Sequence, residues 1–334
     1  MSLLQKRLDN FPNRKENDFL RLQSLVVEKE KATVLTALER RRLGEELSAV
    51  EGTGVACVIL FFYDTVYALK EVKATFHSVM NCSFLLYFLG ITKVNPMDYG
   101  LPFERYFHED RKNLPSAGLA VQKGGKGRVM QYLKERYGAD RLAKVRDTDN
   151  EYVFSARRLT CFGEIEQTIL HTGVDERAWH EDICSLSVRE ACGLGLYSFT
   201  LQEGEIGQAR RFTDEEIYRQ ALCWLQESGR ELGEGYLGNE AVEKIFACSH
   251  GRYLYQEQFY ELCEQLLGLS YKEADGLRRG LLLGRRAEVE GLQRLLCARL
   301  GEEGERLFTY LLARHRRCVC KAYLVGALFL GLVK

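Results

Sequence analysis

Tyr87-Phe-Leu-Gly90-Ile-Thr-Lys-Val94-Asn-Pro96-Met-Asp-Tyr99-Gly-Leu101-Pro-Phe103-Glu104-Arg105-Tyr-Phe107 is the stretch on which the fold turns. Its apolar run breaks at Gly90, and the pairs Asn95-Pro96 and Leu101-Pro102 read as turns, because proline drives the residue before it out of the helical region. Aromatic residues return immediately after each break. The pattern is that of a compact unit whose connections are irregular but whose side chains are buried.

Outward from that stretch the character of the chain changes twice. Upstream, residues 1–54 are charged and punctuated by Leu35, Leu38, Leu43 and Leu47 at roughly helical spacing, with Gly52 and Gly54 ending the run. Val55–Tyr63 is almost wholly apolar and stops at Asp64, too short for a membrane span and suited to a core segment. Downstream, 146–240 mixes charge runs with glycines and carries little periodicity. From 241 the helical signal returns: Phe259, Leu262, Cys263, Leu266 and Leu267 share one face and Gly268 stops the run. Ser270-Tyr-Lys-Glu273 reads as a capping box opening the next helix. Leu292, Leu295 and Leu296 mark a third helix closed by Gly301, and Leu307 with Leu311 a fourth.

Composition sets the limits on these readings. The 334 residues are 46% hydrophobic with 17 Phe and 17 Tyr, enough for a sizeable core, so intrinsic disorder is excluded. Four prolines against 30 glycines favour a mostly helical chain over a β-sandwich. Lys plus Arg equals Asp plus Glu at 47 each, so no global field draws the protein to nucleic acid or membrane. The distribution is uneven: Arg278 to Lys321 holds 11 basic and 5 acidic residues, leaving that stretch at +6 and the rest at −6. Eleven scattered cysteines without a CxxC pair point to buried, reduced thiols and a cytoplasmic protein. His171, His180 and Cys184, and Cys248 with His250, lack the paired short spacings of structural zinc.

Four stretches in order resemble the polymerase core of the bacterial DNA polymerase III alpha subunit, the C-family replicative polymerases. The quoted stretch is similar to that family's LGIT turn, V-x-P and L-x-FERF pattern. Arg41–Glu71 resembles its charged helix running through a glycine into an apolar segment. Tyr255-Gln256-Glu257-Gln258, Gly268-Leu-Ser270, Glu273-Ala274-Asp275 and Leu277-Arg278-Arg279 resemble its YQEQ, G-x-S, EAD and LRR run in the fingers. Phe308 to Lys334 looks like the helix that follows. The resemblance implies an α+β, predominantly helical fold: an eroded nucleotidyltransferase-type palm with a small mixed sheet, plus a helical fingers-like subdomain. The expected parts are an N-terminal helical segment (1–54), a palm-like domain (55–150), a shortened connector (151–240) and a fingers-like domain (241–334).

The resemblance fails where the family's chemistry sits. Such a polymerase holds two Mg²⁺ ions on carboxylates, two of them from a P-D-x-D strand whose i, i+2 spacing puts both on one face. Here the strand reads Pro115-Ser116-Ala117-Gly118-Leu119-Ala120-Val121, so Ser116 and Gly118 occupy the aspartate positions. A serine hydroxyl is a weak ligand for a hard cation and glycine is none. The family's R-G-S…G-S loop, whose small residues let backbone amides approach a triphosphate, is here His77-Ser78-Val79-Met80-Asn81-Cys82-Ser83. His77 stands for the arginine, and only Ser78 and Ser83 persist. A third aspartate, from an F-D-F-L-G-L segment, has no convincing counterpart, Gly193-Leu-Gly195-Leu196 being a faint echo, and F-N-K-S-H becomes His315-Arg316-Arg317-Cys318-Val319. The family's phosphoesterase domain and its clamp-binding and OB-fold regions are not recognised.

The expectation is therefore a truncated, degenerate polymerase relative without catalytic residues, resident metal or other cofactor. Its action is expected to rest on binding: to DNA, weakly and without sequence preference, through Arg278, Arg279, Arg285, Arg286, Arg316, Arg317 and Lys321, or to a replication protein, with no membrane involved. The competing expectation is an active DNA-directed DNA polymerase with an altered metal site.

Overall fold

The computed structural model describes residues 8, 11, 15–108, 117–138, 142–145, 151–154, 179–180, 183–184, 197–207, 210–229 and 233–331. Pro115, Ser116, His171 and Gly193–Leu196 lie outside the described residues. The chain packs as two compact units, 1–209 with 329–332, and 210–328 with 333–334. The break falls inside the stretch expected as a connector, and that stretch holds strands and a helix of its own. The architecture is predominantly helical α+β.

In the first unit, α1 (Asp18–Lys31) and α2 (Ala37–Thr53) are amphipathic, and α3 (Ala56–Ala68) is apolar on nearly all sides and correspondingly buried. Thr36 and Glu39 form a capping box that starts α2, and Gly54 ends it in the left-handed conformation. Asp64, the residue that interrupts the apolar run, takes both oxygens to the Arg21 guanidinium at 3.1 and 2.5 Å. The short helix α4 (Phe84–Phe88) begins at Ser83, and α5 (Lys126–Tyr137) follows the turn at Lys123-Gly124-Gly125.

The sheet is mixed. Its strands are β1 (Ala74–His77), β2 (Ala117–Gln122), β3 (Leu142–Val145), β4 (Glu151–Phe154), β5 (Trp179–His180), β6 (Ile183–Cys184) and β7 (Tyr197–Gly204), in the order β1-β2-β7-β4-β3-β6-β5. β1 runs antiparallel to β2, with His77 opposite Gly118. β7 runs parallel to β2 on its other edge, with Thr200 opposite Gly118. Gly118 thus sits at the middle of three paired strands. Phe62 of α3 packs on Phe76 of β1 with ring centroids 4.5 Å apart, tying the buried helix to the sheet.

The second unit is helical: α6 (Asp214–Glu227), α7 (Glu240–Phe246), α8 (Gln256–Leu267), α9 (Tyr271–Leu283), α10 (Arg286–Leu300), α11 (Glu302–Arg314) and α12 (Lys321–Phe329), the last residue of α12 belonging to the first unit. Phe259, Leu262, Leu281, Leu292, Leu296, Leu307 and Leu311 share its core. The helix breaks fall where the sequence puts them: Gly268 adopts φ +64° after α8, and Ser270 accepts from the Glu273 amide before α9. Among the described residues no single helix is long and apolar enough to cross a membrane.

Candidate functional site: an eroded palm and a paired basic helix

β1 ends at His77, and the chain then turns through a single 3₁₀ segment, Ser78–Cys82. Ser78 holds φ +78°, a conformation that glycine enters freely and a residue with a Cβ enters at a cost of about 1–2 kcal/mol. Val79, Met80, Asn81 and Cys82 are all buried, and Met80 and Cys82 wholly so. Side chains fill the space a phosphate cradle leaves open.

The amides that end this loop are engaged from within the chain. Glu46, fully buried on α2, accepts from the Ser83 hydroxyl at 2.6 Å and from the Phe84 and Leu85 amides at 2.9 Å each. Arg42 donates to the same carboxylate at 2.7 Å, and also to the carbonyls of Cys82 and Leu101 at 3.2 Å. Burial pushes the Glu46 carboxyl up, and the Arg42 guanidinium and Ser83 hydroxyl oppose that shift. Sequence reading missed Glu46, because an acid on a charged helix reads as a solvated residue and its partners lie 37 to 39 residues away.

The side chain of His77 covers Gly118. A Cβ added to Gly118 would stand 2.8 Å from His77 Nε2 and 3.1 Å from Thr200 Oγ1. The Gln202 amide nitrogen donates to His77 Nε2 at 3.0 Å, which requires that nitrogen to be unprotonated. Burial pushes the imidazole down to about 4, so it is neutral near pH 7. A neutral, hydrogen-bonded ring over a glycine is a poor seat for a divalent cation.

Across β1, β2 and β7 the one carboxylate is Glu203, and it accepts from the Lys126 amide at 2.9 Å at the start of α5. β7 contributes serine and threonine, Ser198 and Thr200, rather than an aspartate. Among the described residues no group of three His, Cys, Asp or Glu side chains is placed to hold a metal ion. His250, one of the histidines weighed for zinc, pairs instead with Glu215 at 3.0 Å. The described residues do not supply the carboxylates that a pair of Mg²⁺ ions needs.

Five of the seven basic residues expected to bind DNA reach carboxylates. Asp275 takes Arg278 Nε at 3.1 Å and Arg279 Nε at 2.6 Å, and the Tyr260 hydroxyl donates to it at 2.8 Å. Burial pushes the Asp275 carboxyl up, and Tyr260 with the two guanidiniums outweighs it and leaves the acid below its usual range. Arg285 reaches Glu288 at 3.5 Å and Arg286 reaches Glu290 at 2.6 Å, both within one turn of α10. Lys321, only 8% exposed, reaches Asp214 at 3.5 Å. Arg316 and Arg317 are exposed, in the 3₁₀ turn that follows α11. The seven residues therefore do not form one open cationic surface.

The motif-like residues around them are scaffolding. Gln258 accepts from the Leu254 and Tyr255 amides and donates to Ser249 Oγ at 2.6 Å, while Glu257 accepts from the Lys321 amide at 2.8 Å and so caps α12. His315 donates from Nε2 to the Arg278 carbonyl at 3.0 Å and accepts from the Tyr253 hydroxyl at 2.8 Å. Burial holds its imidazole down at about 4.

Comparison with known proteins agrees with this arrangement. The profile of the bacterial DNA polymerase III alpha NTPase domain matches residues 20–156, and that of the bacterial DNA polymerase III alpha subunit finger domain matches residues 227–304. The DNA polymerase III subunit alpha of Halalkalibacterium halodurans is 33% identical over 113 residues, which are 33% of this chain and 10% of that protein. That of Thermus aquaticus is 36% identical over 63 residues, 19% of this chain and 5% of that protein. An error-prone DNA polymerase of Anaeromyxobacter dehalogenans is 32% identical over 107 residues, 31% of this chain and 10% of that protein. Each match spans a tenth or less of the relative's length. Matched in succession by the NTPase-domain and finger-domain profiles of one subunit, this chain is a bacterial DNA polymerase III alpha-like protein.

Proposed function

We propose that the chain carries out no nucleotidyl transfer and acts in replication by binding, with a protein as its partner. The observation that carries the first half is Gly118 beneath the neutral His77 ring, on strands whose one acid is already engaged. Metal-assisted phosphoryl transfer without metal ligands forfeits its largest electrostatic contribution. The reading includes no resident metal or other cofactor, and a reducing, cytoplasmic setting in keeping with cysteines outside any disulfide such as Cys263 and Cys318.

The choice of a protein over DNA rests on the ion pairs of Arg278, Arg279, Arg285, Arg286 and Lys321, since a guanidinium already neutralised releases few counterions from a phosphate backbone. Weak DNA binding is the second reading, supported by the exposed Arg316 and Arg317.

Primer extension with Mg²⁺ or Mn²⁺ tests the first half: no incorporation above a mock preparation is expected. Template-dependent incorporation abolished by a substitution in this chain would return it to the active polymerases. Fluorescence anisotropy with a primer-template at two salt concentrations tests the second. No binding at low ionic strength, where screening is weakest, fits the protein partner. Binding that collapses with salt and is lost in Arg316→Gln with Arg317→Gln selects DNA.

A further inference from the structure

The first unit contains a half-open cavity of about 540 Å³ at the Ala74 end of β1, the end away from His77. Lys29 of α1, Lys70 and Lys73 ahead of β1, and Lys93 after Gly90 all line it, and among the described residues no carboxylate does. Among the described residues none of the four ammonium groups is in an ion pair. Lys29 and Lys93 are half-buried, and their Nζ atoms stand 3.7 and 3.9 Å from where a Cβ on Gly90 would lie. Both ammonium groups thus stand beside the Gly90 backbone, which holds φ +78°.

Such a cluster is costly as it stands. Four cations share a concave wall, two of them partly withdrawn from water; among the described residues the Gly90 carbonyl stands 3.0 Å from Lys93 Nζ, Lys29 lies over the Phe88 ring and Lys70 over the Tyr67 ring, and no carboxylate neutralises them. Burial lowers the Lys29 amine, and the neighbouring Lys93 charge lowers it further. Burial lowers Lys93 as well. Lys73 adds a backbone term, since it holds φ +42°, an uncommon conformation for a residue with a Cβ. The remaining wall is apolar, including the Tyr67 ring and Phe329.

We propose that this cavity binds a small polyphosphate, free or carried by a nucleotide. Several closely spaced negative charges are what four unneutralised lysines in one recess can take up. The volume accommodates a triphosphate group, and Tyr67 with Phe329 offers apolar surface to whatever the chain of phosphates carries. The site is separate from the loop at Ser78–Ser83 and does not depend on the reading of the palm.

Isothermal titration of the full chain with inorganic tripolyphosphate and with ATP, without added metal, tests it. Both probes are expected to bind at low salt. Lys29→Gln with Lys93→Gln is expected to weaken both about tenfold or more with the melting temperature retained, and the exposed single change Lys73→Gln about threefold. Tighter binding of ATP than of tripolyphosphate supports a nucleotide as the carrier, and equal binding supports the free anion. Failure of either probe to bind at low salt overturns the proposal. So does binding by the double variant as tight as that of the original chain. Should the double variant not fold, Lys73→Gln decides alone, and unaltered affinity there overturns the site. Displacement of both probes by a single-stranded oligonucleotide at lower concentration than either would assign the lysines to nucleic acid and overturn it too.

Discussion

His77 lies across Gly118 so closely that a Cβ at position 118 would come within 2.8 Å of its ring nitrogen. The two residues face one another in the register of β1 and β2, and Gln202 fixes the ring from the far side. The ring at 77 and the lack of a side chain at 118 are thus one packing arrangement. Gly118→Asp is expected to destabilise the protein by roughly 1–3 kcal/mol, the usual cost of overpacking. The added substitution His77→Ala should recover much of that loss. Urea midpoints of the four members of the double-mutant cycle check it, and additive losses would contradict the contact.

Ser78→Gly should stabilise the fold by about 1 kcal/mol, because the left-handed backbone at φ +78° penalises the serine and not the glycine. Thermal melts of the two proteins side by side are sufficient. A lower midpoint for the glycine variant would mean that the serine side chain is worth more than its backbone costs.

His77 and His315 are both held at about 4 in the folded chain, against an ordinary 6.5. The unfolded state therefore takes up protons that the native state refuses as pH falls from about 6.5 towards 4, and stability is lost across that window. Each contributes roughly 2 kcal/mol of loss by pH 5. Denaturation midpoints at pH 7 and pH 5 should differ accordingly, and the difference should shrink in His315→Gln. An unchanged difference would place the titration elsewhere.

Gly304 and Gly291 make a paired test of the helical unit. A Cβ at Gly304 would meet the backbone of Leu296, its carbonyl oxygen above all, whereas one at Gly291 meets nothing within 4 Å. Gly304→Ala should force α10 and α11 apart and cost about 2 kcal/mol or more, since backbone cannot yield as a side chain does. Gly291→Ala, on an open helix surface, should instead gain up to about 1 kcal/mol. Matching signs for the two would refute the packing.

The helical unit was readable because its punctuation is local. Gly268, Ser270, Glu273 and Gly301 act within one turn of where they stand, so their chemistry is visible in a window of a few residues. The ion pairs of Arg286 with Glu290 and Arg279 with Asp275 are four residues apart and equally legible in principle, although charge totals concealed them. The palm was readable only in part. Tyr197–Gly204 alternates as a strand should, but its partner β2 lies some 80 residues earlier, and nothing near it in sequence announces the pairing. Glu46 was hidden for the same reason: its role is set by Ser83, Phe84 and Leu85, which only folding brings to it.

That carboxylate has a consequence for how such a chain can drift. By gripping the Ser83 hydroxyl and the two amides after it, and by being gripped in turn by Arg42, Glu46 makes the bend after β1 self-supporting. A loop that owed its shape to an external phosphate would come apart once the phosphate no longer called. This one is braced from behind by its own helix, so residues on its front can change one by one while the bend keeps its shape.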